Sequence, residues 1–295
     1  MRTLKAALAL LIITLSFLSG QAQTRFDNLE FKQFSTPEGL PNSMVHQVYQ
    51  DRDGYIWIST FYGLFRYDGY EVRTYKSNLY TPGLLVNNNV ICVEEDYSHR
   101  LWIGTHEGLC VLDKQTGKMR KMKLEGISKH RLNEIHVTKD NKVYLGYIRG
   151  MACYNAELDT LELMTSKNCK GEVPEQINIQ TLLEDENGDL LIGTWQDGLF
   201  HYNIKENKFT HYPPLDESNS VLALFQDSKG ALWVGTSGSG LYKVNFSPDK
   251  KTLSVEKAYK HDALNTLSLS SDYIYSIHED LQTCLLYTSD AADER

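Results

Sequence analysis

Short runs of apolar and β-branched residues alternate with polar turns along most of this chain. In the first clear example, residues 45–50 and 55–60 form two such runs, separated by Asp-Arg-Asp-Gly at residues 51–54. An Asp carboxylate at the start of a turn can accept hydrogen bonds from later backbone N–H groups, and Gly adopts a positive φ without steric cost. The segment therefore predicts two antiparallel strands joined by a hairpin.

The same unit continues with two further predicted strands. Residues 64–67 follow a short turn, and residues 71–75 alternate between polar and apolar side chains, as an outer edge strand does. Four antiparallel strands within about 45 residues form one blade of a β-propeller. The second strand is almost continuously apolar, as in residues 232–234, so both of its faces are expected to be buried. The Gly that follows is expected where backbone of the adjacent blade approaches closely.

The unit recurs with a period of 42 to 47 residues, measured between equivalent positions of the second strand. These positions are Trp57, Trp102, Tyr144, Leu191 and Trp233. Short strands at this period predict an all-β fold, a partial β-propeller. The predicted blades are residues 42–77, 88–124, 133–165, 178–212 and 219–258, with a partial blade from residue 271. The chain thus carries about five and a half four-stranded blades.

The N-terminus predicts export. Arg2 and Lys5 form a positive region, residues 6–18 are apolar apart from two hydroxyl residues, and small residues precede a cleavage site after Ala22. Residues 1–22 are therefore predicted to be a signal peptide, with an uncleaved anchor as the alternative. The apolar stretch is shorter than the ~20 residues that a spanning helix needs.

Net charge and cysteine content argue against some classes of partner and site. The formal net charge of -8 argues against nucleic acid or an anionic membrane as the main partner of this region. The chain has five Cys and no Cys-x-x-Cys pair, so the sequence contains no zinc or redox motif. Buried thiols are the simplest interpretation, and one disulfide stays open as an alternative.

The repeated pattern Asn-x-Val, Asp-x-x-Gly-x-Leu-Trp-Ile-Gly-Thr-x-x-Gly-Leu-x-x-Tyr resembles the two-component regulator propeller repeat. The opening Phe-Ser-Thr-Pro-Glu-Gly-Leu-Pro-Asn-Ser at residues 34–43 is similar to the N-terminus of hybrid two-component sensors of Bacteroidetes. The resemblance extends over residues 26–280.

This resemblance implies the N-terminal part of a periplasmic sensor with two propellers of seven blades each. A small β-sandwich, an inner-membrane helix, a histidine kinase core, a receiver and a DNA-binding domain would follow. It further implies recognition of an oligosaccharide or other small ligand, control of polysaccharide-utilisation genes, and a homodimeric full-length receptor. This region itself would contact neither nucleic acid nor membrane.

The end of the chain departs from the pattern. After residues 271–280 the repeat calls for a turn Gly and a Leu-Trp-Ile-Gly-Thr strand, but residues 281–295 match neither. They resemble translated sequencing-adapter read-through and are predicted to be a non-native or disordered tail. The alternative is a divergent blade strand with a disordered end.

Catalysis is not predicted for this chain. The recurrent Asp lies six residues before Trp, whereas the Asp-boxes of sialidases, which are also propellers, place it five before. The sequence has no kinase phosphoacceptor motif, no nucleotide-binding motif and no metal motif, so neither cofactor nor metal is expected. A secreted propeller glycosidase or lyase, and a propeller that only binds other proteins, remain the alternatives.

Ligand-binding candidates come from the loops between the second and third strands of each blade. These loops vary while their flanks repeat, and they are expected to open on one face near the channel, opposite the Asp-x-x-Gly turns. Aromatic side chains stack on sugar rings, and polar side chains hydrogen-bond hydroxyls or carboxylates. The candidates are Phe61, Tyr62, His106, Glu107, Arg149, Trp195 and Gln196.

Overall fold

The structure, a computed structural model, describes residues 44–78, 85–122, 131–215, 219–247, 250–280 and 285–289, the last as backbone only. The predicted signal peptide, residues 1–22, lies outside the described residues. In the part of the chain that is described, no helix is long and apolar enough to span a membrane.

Blades 1 to 3 are antiparallel sheets of four strands that follow one another in chain order. Blade 1 comprises β1 (Val45–Gln50), β2 (Ile56–Thr60), β3 (Gly63–Tyr67) and β4 (Val72–Tyr75). Blade 2 comprises β5 (Val90–Glu95), β6 (Arg100–Thr105), β7 (Gly108–Asp113) and β8 (Met119–Met122). Blade 3 comprises β9 (Leu132–Val137), β10 (Val143–Tyr147), β11 (Gly150–Asn155) and β12 (Thr160–Met164).

Blades 4 and 5 repeat this arrangement. The short β13 (Lys170–Gly171) joins the outer edge of blade 4 in parallel, beside β17. Blade 4 comprises β14 (Ile179–Glu184), β15 (Leu190–Thr194), β16 (Leu199–Asn203) and β17 (Lys208–Tyr212). Blade 5 comprises β18 (Val221–Gln226), β19 (Leu232–Thr236), β20 (Leu241–Phe246) and β21 (Leu253–Tyr259). The prediction of an all-β fold made of four-stranded propeller blades is confirmed.

A two-stranded sheet follows blade 5. In it β22 (Ser276–Asp280) pairs antiparallel with β23 (Leu285–Ser289). Part of the predicted tail therefore lies in a strand, while residues 281–284 and 290–295 lie outside the described residues. A non-native origin of residues 281–295 stays a prediction.

The Asp-x-x-Gly hairpins form as the sequence predicts. In blade 1, Asp51 Oδ1 accepts hydrogen bonds from the backbone N–H groups of Asp53 at 3.1 Å and Tyr55 at 2.9 Å. Gly54 has a φ of 88°, a conformation that favours glycine. Blades 2 and 5 repeat the carboxylate contacts with Asp96 and Asp227.

The second oxygen of the same carboxylate explains the fixed spacing between Asp and Trp. In blade 1 the indole Nε1 of Trp57 donates to Asp51 Oδ2 at 2.8 Å. The same bond joins Trp102 to Asp96 at 2.8 Å and Trp233 to Asp227 at 2.9 Å. The carboxylate therefore fastens the turn and the middle of the second strand together.

Blade 3 departs from this arrangement. The repeat suggests Asp140 as the turn carboxylate of this blade, but Thr138 stands at the equivalent position, six residues before Tyr144. Thr138 Oγ1 accepts the backbone N–H of Lys142 at 3.1 Å, and its hydroxyl also contacts Asp140. A hydroxyl oxygen accepts a backbone N–H as an Asp oxygen does, so the hairpin persists without the acid.

Successive blades pack through their first strands: β1 contacts β5, β5 contacts β9, β9 contacts β14, β14 contacts β18 and β18 contacts β22. The first strands are therefore the innermost strands, next to a common axis. In blades 2 to 5 the apolar residue at the start of the first strand is at most 3 % exposed, as is Ile274 just before β22. These residues are Val90, Leu132, Ile179, Val221 and Ile274.

These buried side chains occupy the space left by the glycines of the second strands. A Cβ on Gly146 would lie 2.7 Å from Ile179 Cγ2 of the next blade, and a Cβ on Gly193 would lie 2.6 Å from Val221 Cγ1. At both positions a side chain of the next blade fills the space in which backbone was expected. At Gly235 the backbone does approach as expected, because a Cβ there would lie 3.0 Å from the carbonyl oxygen of Ile274. Blade 1 has Ser59 at this position, completely buried.

Replacing Gly146 by alanine is expected to lower the free energy of unfolding by about 1–3 kcal/mol, because the added methyl collides with Ile179. Urea unfolding followed by tryptophan fluorescence measures the loss. Ser59→Ala is the matched control: it keeps a Cβ that blade 1 already accommodates and removes a buried hydroxyl without a hydrogen-bond partner. Equal losses in the two variants would contradict the steric explanation.

Carboxylates at the ends of first strands bind the preceding blade. Each accepts a backbone N–H from the residue that follows the turn position of that blade, a charge-assisted bond. The pairs are Glu95 with Arg52 at 2.8 Å, Glu184 with Lys139 at 2.9 Å, and Glu279 with Ser228 at 2.7 Å. Lysines add to these links: Lys114 Nζ of blade 2 lies 2.8 Å from Asp51 Oδ2 of blade 1.

Candidate ligand-binding face

The loops between the second and third strands lie together at one end of the blades. Adjacent strands are antiparallel, so these loops lie at the opposite end from the Asp-x-x-Gly turns. We call this end the loop face. It includes the seven residues predicted from sequence: Phe61, Tyr62, His106, Glu107, Arg149, Trp195 and Gln196.

In blades 2 to 5, a backbone hydrogen bond holds the loop against the start of the first strand of the same blade. His106 N donates to Asn89 O at 2.9 Å in blade 2, and Trp195 N donates to Asn178 O at 2.8 Å in blade 4. The bond Ser237 N to Ser220 O, 3.1 Å, repeats this contact in blade 5. The loops are thus placed by the repeating scaffold.

Other hydrogen bonds connect a loop to the next blade. Gly198 N of the blade 4 loop donates to Asn219 O at 2.7 Å, and Gln196 N donates to Ser220 Oγ at 3.1 Å. Gly240 N at the end of the blade 5 loop donates to Asp272 O at 2.9 Å. The loop face is therefore continuous from blade 4 towards β22.

All seven predicted residues are exposed. Trp195 is 40 % exposed and Tyr62 is 58 % exposed, which leaves aromatic surface available to a ligand. Gln196 has a φ of 73°, an unusual conformation for a residue other than glycine. A strained backbone of this kind is commonly found where a loop has a function.

Two polar residues on this face escaped the sequence prediction. The ring of His46 lies 5.5 Å from that of Phe61, and His46 Nε2 lies 3.1 Å from Asn89 Oδ1 of blade 2. Burial, as the main cause, lowers the pKa of His46, so its ring is neutral near pH 7. Both residues stand at the starts of first strands, where the repeat also varies from blade to blade.

The innermost strands carry ionisable side chains that the sequence prediction also left out. Burial raises the pKa of Glu94 on β5 and of Glu134 on β9 to about 8. Burial lowers the pKa of His136 to about 4, and its Nε2 lies 3.9 Å from a Glu184 carboxylate oxygen. Near neutral pH these two glutamates are therefore mostly protonated and can donate hydrogen bonds.

Three interblade grooves in the described part of the chain lie on the face of the Asp-x-x-Gly turns. Their volumes are about 620 Å³ between blades 3 and 4, and about 390 Å³ each between blades 4 and 5 and between blades 1 and 2. None of the seven predicted residues lines these three grooves. Cys153 and Cys169, which line the largest, are free thiols, as are the buried Cys92 and Cys110.

Radially packed four-stranded sheets with their variable loops on one face define a β-propeller. Three segments of the chain are similar to two-component regulator propeller repeats. A family model described as two component regulator propeller matches residues 39–62, 84–107 and 216–238. These segments contain Trp57, Trp102 and Trp233, the three tryptophans that bond to a turn Asp. The resemblance noted in the sequence is confirmed.

Several known proteins are similar to this chain. Histidine kinase P4 of Formosa agariphila is 34 % identical over 67 residues, which is 23 % of this chain and 5 % of the kinase. The extracellular domain of a hybrid two-component system of B. thetaiotaomicron is 24 % identical with a TM-score of 0.57, over 83 % of this chain and 36 % of that one. A second such domain of the same organism is 19 % identical with a TM-score of 0.64, over 87 % of this chain and 40 % of that domain.

Propeller enzymes also share the fold. A virginiamycin B lyase from Staphylococcus aureus is 10 % identical with a TM-score of 0.60, over 79 % of this chain and 73 % of the lyase. At these identities the solved structures establish the fold alone. The matches span less than half of the two sensor domains and a small part of the kinase.

Proposed function

We propose that this chain is the ligand-sensing propeller region of a hybrid sensor histidine kinase. The observation that carries the proposal is the repeat itself, which matches two-component regulator propellers at three places and resembles sensor domains described as extracellular. The predicted signal peptide would export the region to the periplasm, with the full-length protein in the inner membrane and dimeric. Its output would be control of polysaccharide-utilisation genes.

The ligand that suits the loop face is an oligosaccharide. Phe61, Tyr62 and Trp195 offer exposed aromatic surface for the apolar faces of sugar rings, and Arg149 and Gln196 offer donors for hydroxyls or carboxylates. A sugar chain can extend across several loops, because hydrogen bonds join neighbouring blades on this face. Binding would then change how blades are placed relative to one another.

The recurrent carboxylates are poorly suited to catalysis, which favours a sensing role over an enzymatic one. Asp51, Asp96 and Asp227 each accept hydrogen bonds from turn amides through one oxygen and from a Trp indole through the other. A carboxylate with both oxygens engaged in this way is not available as a nucleophile or general acid. We therefore propose that this region itself is non-catalytic.

Trp195→Ala is expected to weaken oligosaccharide binding by roughly tenfold, because truncating an aromatic anchor removes stacking area. A panel of neutral and uronic-acid oligosaccharides is first screened against this chain, and hits are titrated calorimetrically against the variant. Tyr70→Ala is the control, since Tyr70 is an exposed aromatic residue at the opposite end of blade 1. Unchanged affinity in Trp195→Ala would discard the loop face, and cleaved sugars would favour the glycosidase or lyase alternative.

A further inference from the structure

Blade 4 departs from the repeat at three positions that meet in space. Leu191 replaces the Trp of the second strand, and His201 lies directly opposite it on β16. Asp189 stands where blades 1, 2 and 5 have Tyr55, Arg100 and Ala231. Together with the turn residue Asp185, these substitutions place two carboxylates and an imidazole in one buried cluster.

The geometry of the cluster is compact. His201 Nε2 lies 3.4 Å from Asp189 Oδ2 and 3.9 Å from Asp185 Oδ2. All three residues are at most 6 % exposed, and one donor atom from each lies within 4.8 Å of the others. Bonds of about 2.0–2.2 Å to a tetrahedral Zn²⁺ place neighbouring ligand atoms about 3.3–3.6 Å apart, so small side-chain movements would satisfy one ion.

An unused polar atom faces this cluster. His201 Nε2 is buried and forms no well-aligned hydrogen bond, although Asp189 Oδ2 lies 3.4 Å away. Asp51 is the equivalent of Asp185 in blade 1. Its Oδ2 accepts a hydrogen bond from the Trp57 indole and pairs with the ammonium of Lys114. Leu191 cannot donate, so Asp185 lacks the indole partner that the equivalent Asp of blades 1, 2 and 5 has.

Neighbouring groups hold the carboxylates in place. Asn203 Nδ2 donates to Asp189 Oδ2 at 3.1 Å, and Ile204 N donates to Asp189 Oδ1 at 3.1 Å. Asp185 Oδ1 accepts the backbone N–H groups of Asn187 and Asp189. Such outer contacts orient metal ligands in proteins.

A lysine of blade 5 supplies a cation to the cluster. Lys250 Nζ bonds to Asp185 Oδ2 and lies 3.9 Å from Asp189 Oδ2. Its side chain is 23 % exposed and lines the 390 Å³ groove between blades 4 and 5, which also reaches Asp185. One ammonium leaves two carboxylates with a net negative charge, whereas a divalent cation would neutralise them.

We propose that Asp185, Asp189 and His201 form a binding site for a divalent cation of the Zn²⁺ type, which enters through the groove and displaces Lys250. Three protein ligands leave a further position for water, which the groove can supply.

The test is a calorimetric titration with Zn²⁺ of this chain in a background where Cys153, Cys169 and Cys284 are serine, because thiols also bind Zn²⁺. We expect about one Zn²⁺ per chain. His201→Gln is expected to weaken binding at least tenfold, since loss even of an outer contact weakens metal binding by about 10–100-fold. Lys250→Met is expected to strengthen binding, because it removes the competing ammonium.

The matched control is His136→Gln, which removes a partly buried imidazole of blade 3 that faces one carboxylate. This variant should bind Zn²⁺ as the parent does. Absence of Zn²⁺ binding in both the parent and Lys250→Met would overturn the proposal. Equal affinity of the parent and His201→Gln would also overturn it, since the ion would then be adventitious. If His201→Gln does not fold, unchanged or weaker binding by Lys250→Met contradicts the site.

Discussion

Replacing Asp96 by alanine is expected to lower the free energy of unfolding by about 3–5 kcal/mol. Asp96 is completely buried, and its Oδ2 accepts from the indole of Trp102 at 2.8 Å and from Arg100 Nε at 2.7 Å. Its Oδ1 accepts the backbone N–H groups of Ser98 and Arg100. The substitution leaves an indole, a guanidinium and two amides without their acceptor.

Asp140→Ala is the matched control for this prediction. Asp140 lies in the equivalent turn of the next blade, where Thr138 replaces the buried Asp. Its side chain is 58 % exposed and pairs with Lys142 on the surface. Asp140→Ala is expected to lower the free energy of unfolding by no more than about 1 kcal/mol, the range for exposed ion pairs. Chemical unfolding of both variants measures the difference. A small loss for Asp96→Ala would show that the carboxylate–indole bond contributes little.

Leu132→Ala is expected to lower the free energy of unfolding by about 2–5 kcal/mol, because it leaves a cavity at the interface of blades 2 and 3. Leu132 is completely buried, and its Cδ2 occupies the space where a Cβ of Gly104 would lie. A loss of this size is a large fraction of a typical domain's stability of about 5–15 kcal/mol.

The repeat provides the control for this substitution as well. Val45 holds the equivalent position in blade 1, where it is 51 % exposed. Val45→Ala is expected to change the free energy of unfolding by no more than about 0.5 kcal/mol, as for most exposed sites. Urea unfolding of the two variants tests whether burial between blades, rather than strand propensity, sets the cost. Comparable losses would refute that view.

Local chemistry made the blades predictable from the sequence. Hairpins such as residues 51–54 depend on an Asp oxygen and a Gly within a few residues, so each blade could be predicted on its own. Thr138 was missed because the prediction looked for a carboxylate, although a hydroxyl also accepts the turn amide.

Contacts between side chains that lie on different strands could not be predicted from the sequence. The six-residue spacing of Asp96 and Trp102 was visible, but the indole bond that causes it was not. The packing of Ile179 against Gly146 depends on how two blades are placed relative to each other, and the sequence of a single repeat does not determine this. His201 likewise joins Asp185 and Asp189 only through the pairing of β15 with β16.

The ligand-binding face could be predicted only in part from the sequence. Variation among repeats was sufficient to select Trp195 and Gln196 as exposed loop residues. It was insufficient to find His46, which approaches Phe61 only when the start of β1 is placed beside its own loop. A polar residue at the start of a first strand is a weak signal without the fold.

The hydrogen bonds from the blade 4 loop to the start of blade 5 have a mechanical consequence. They cross a junction that is also held by apolar packing and by the Lys250–Asp185 ion pair. Apolar packing tolerates small sliding movements better than these directional contacts do. A ligand that binds at Gln196 would therefore affect the junction between blades 4 and 5 as well as the blade 4 loop. A displacement at that junction would be transmitted from each blade to the next, because each blade packs only against its neighbours, as in other repeat proteins.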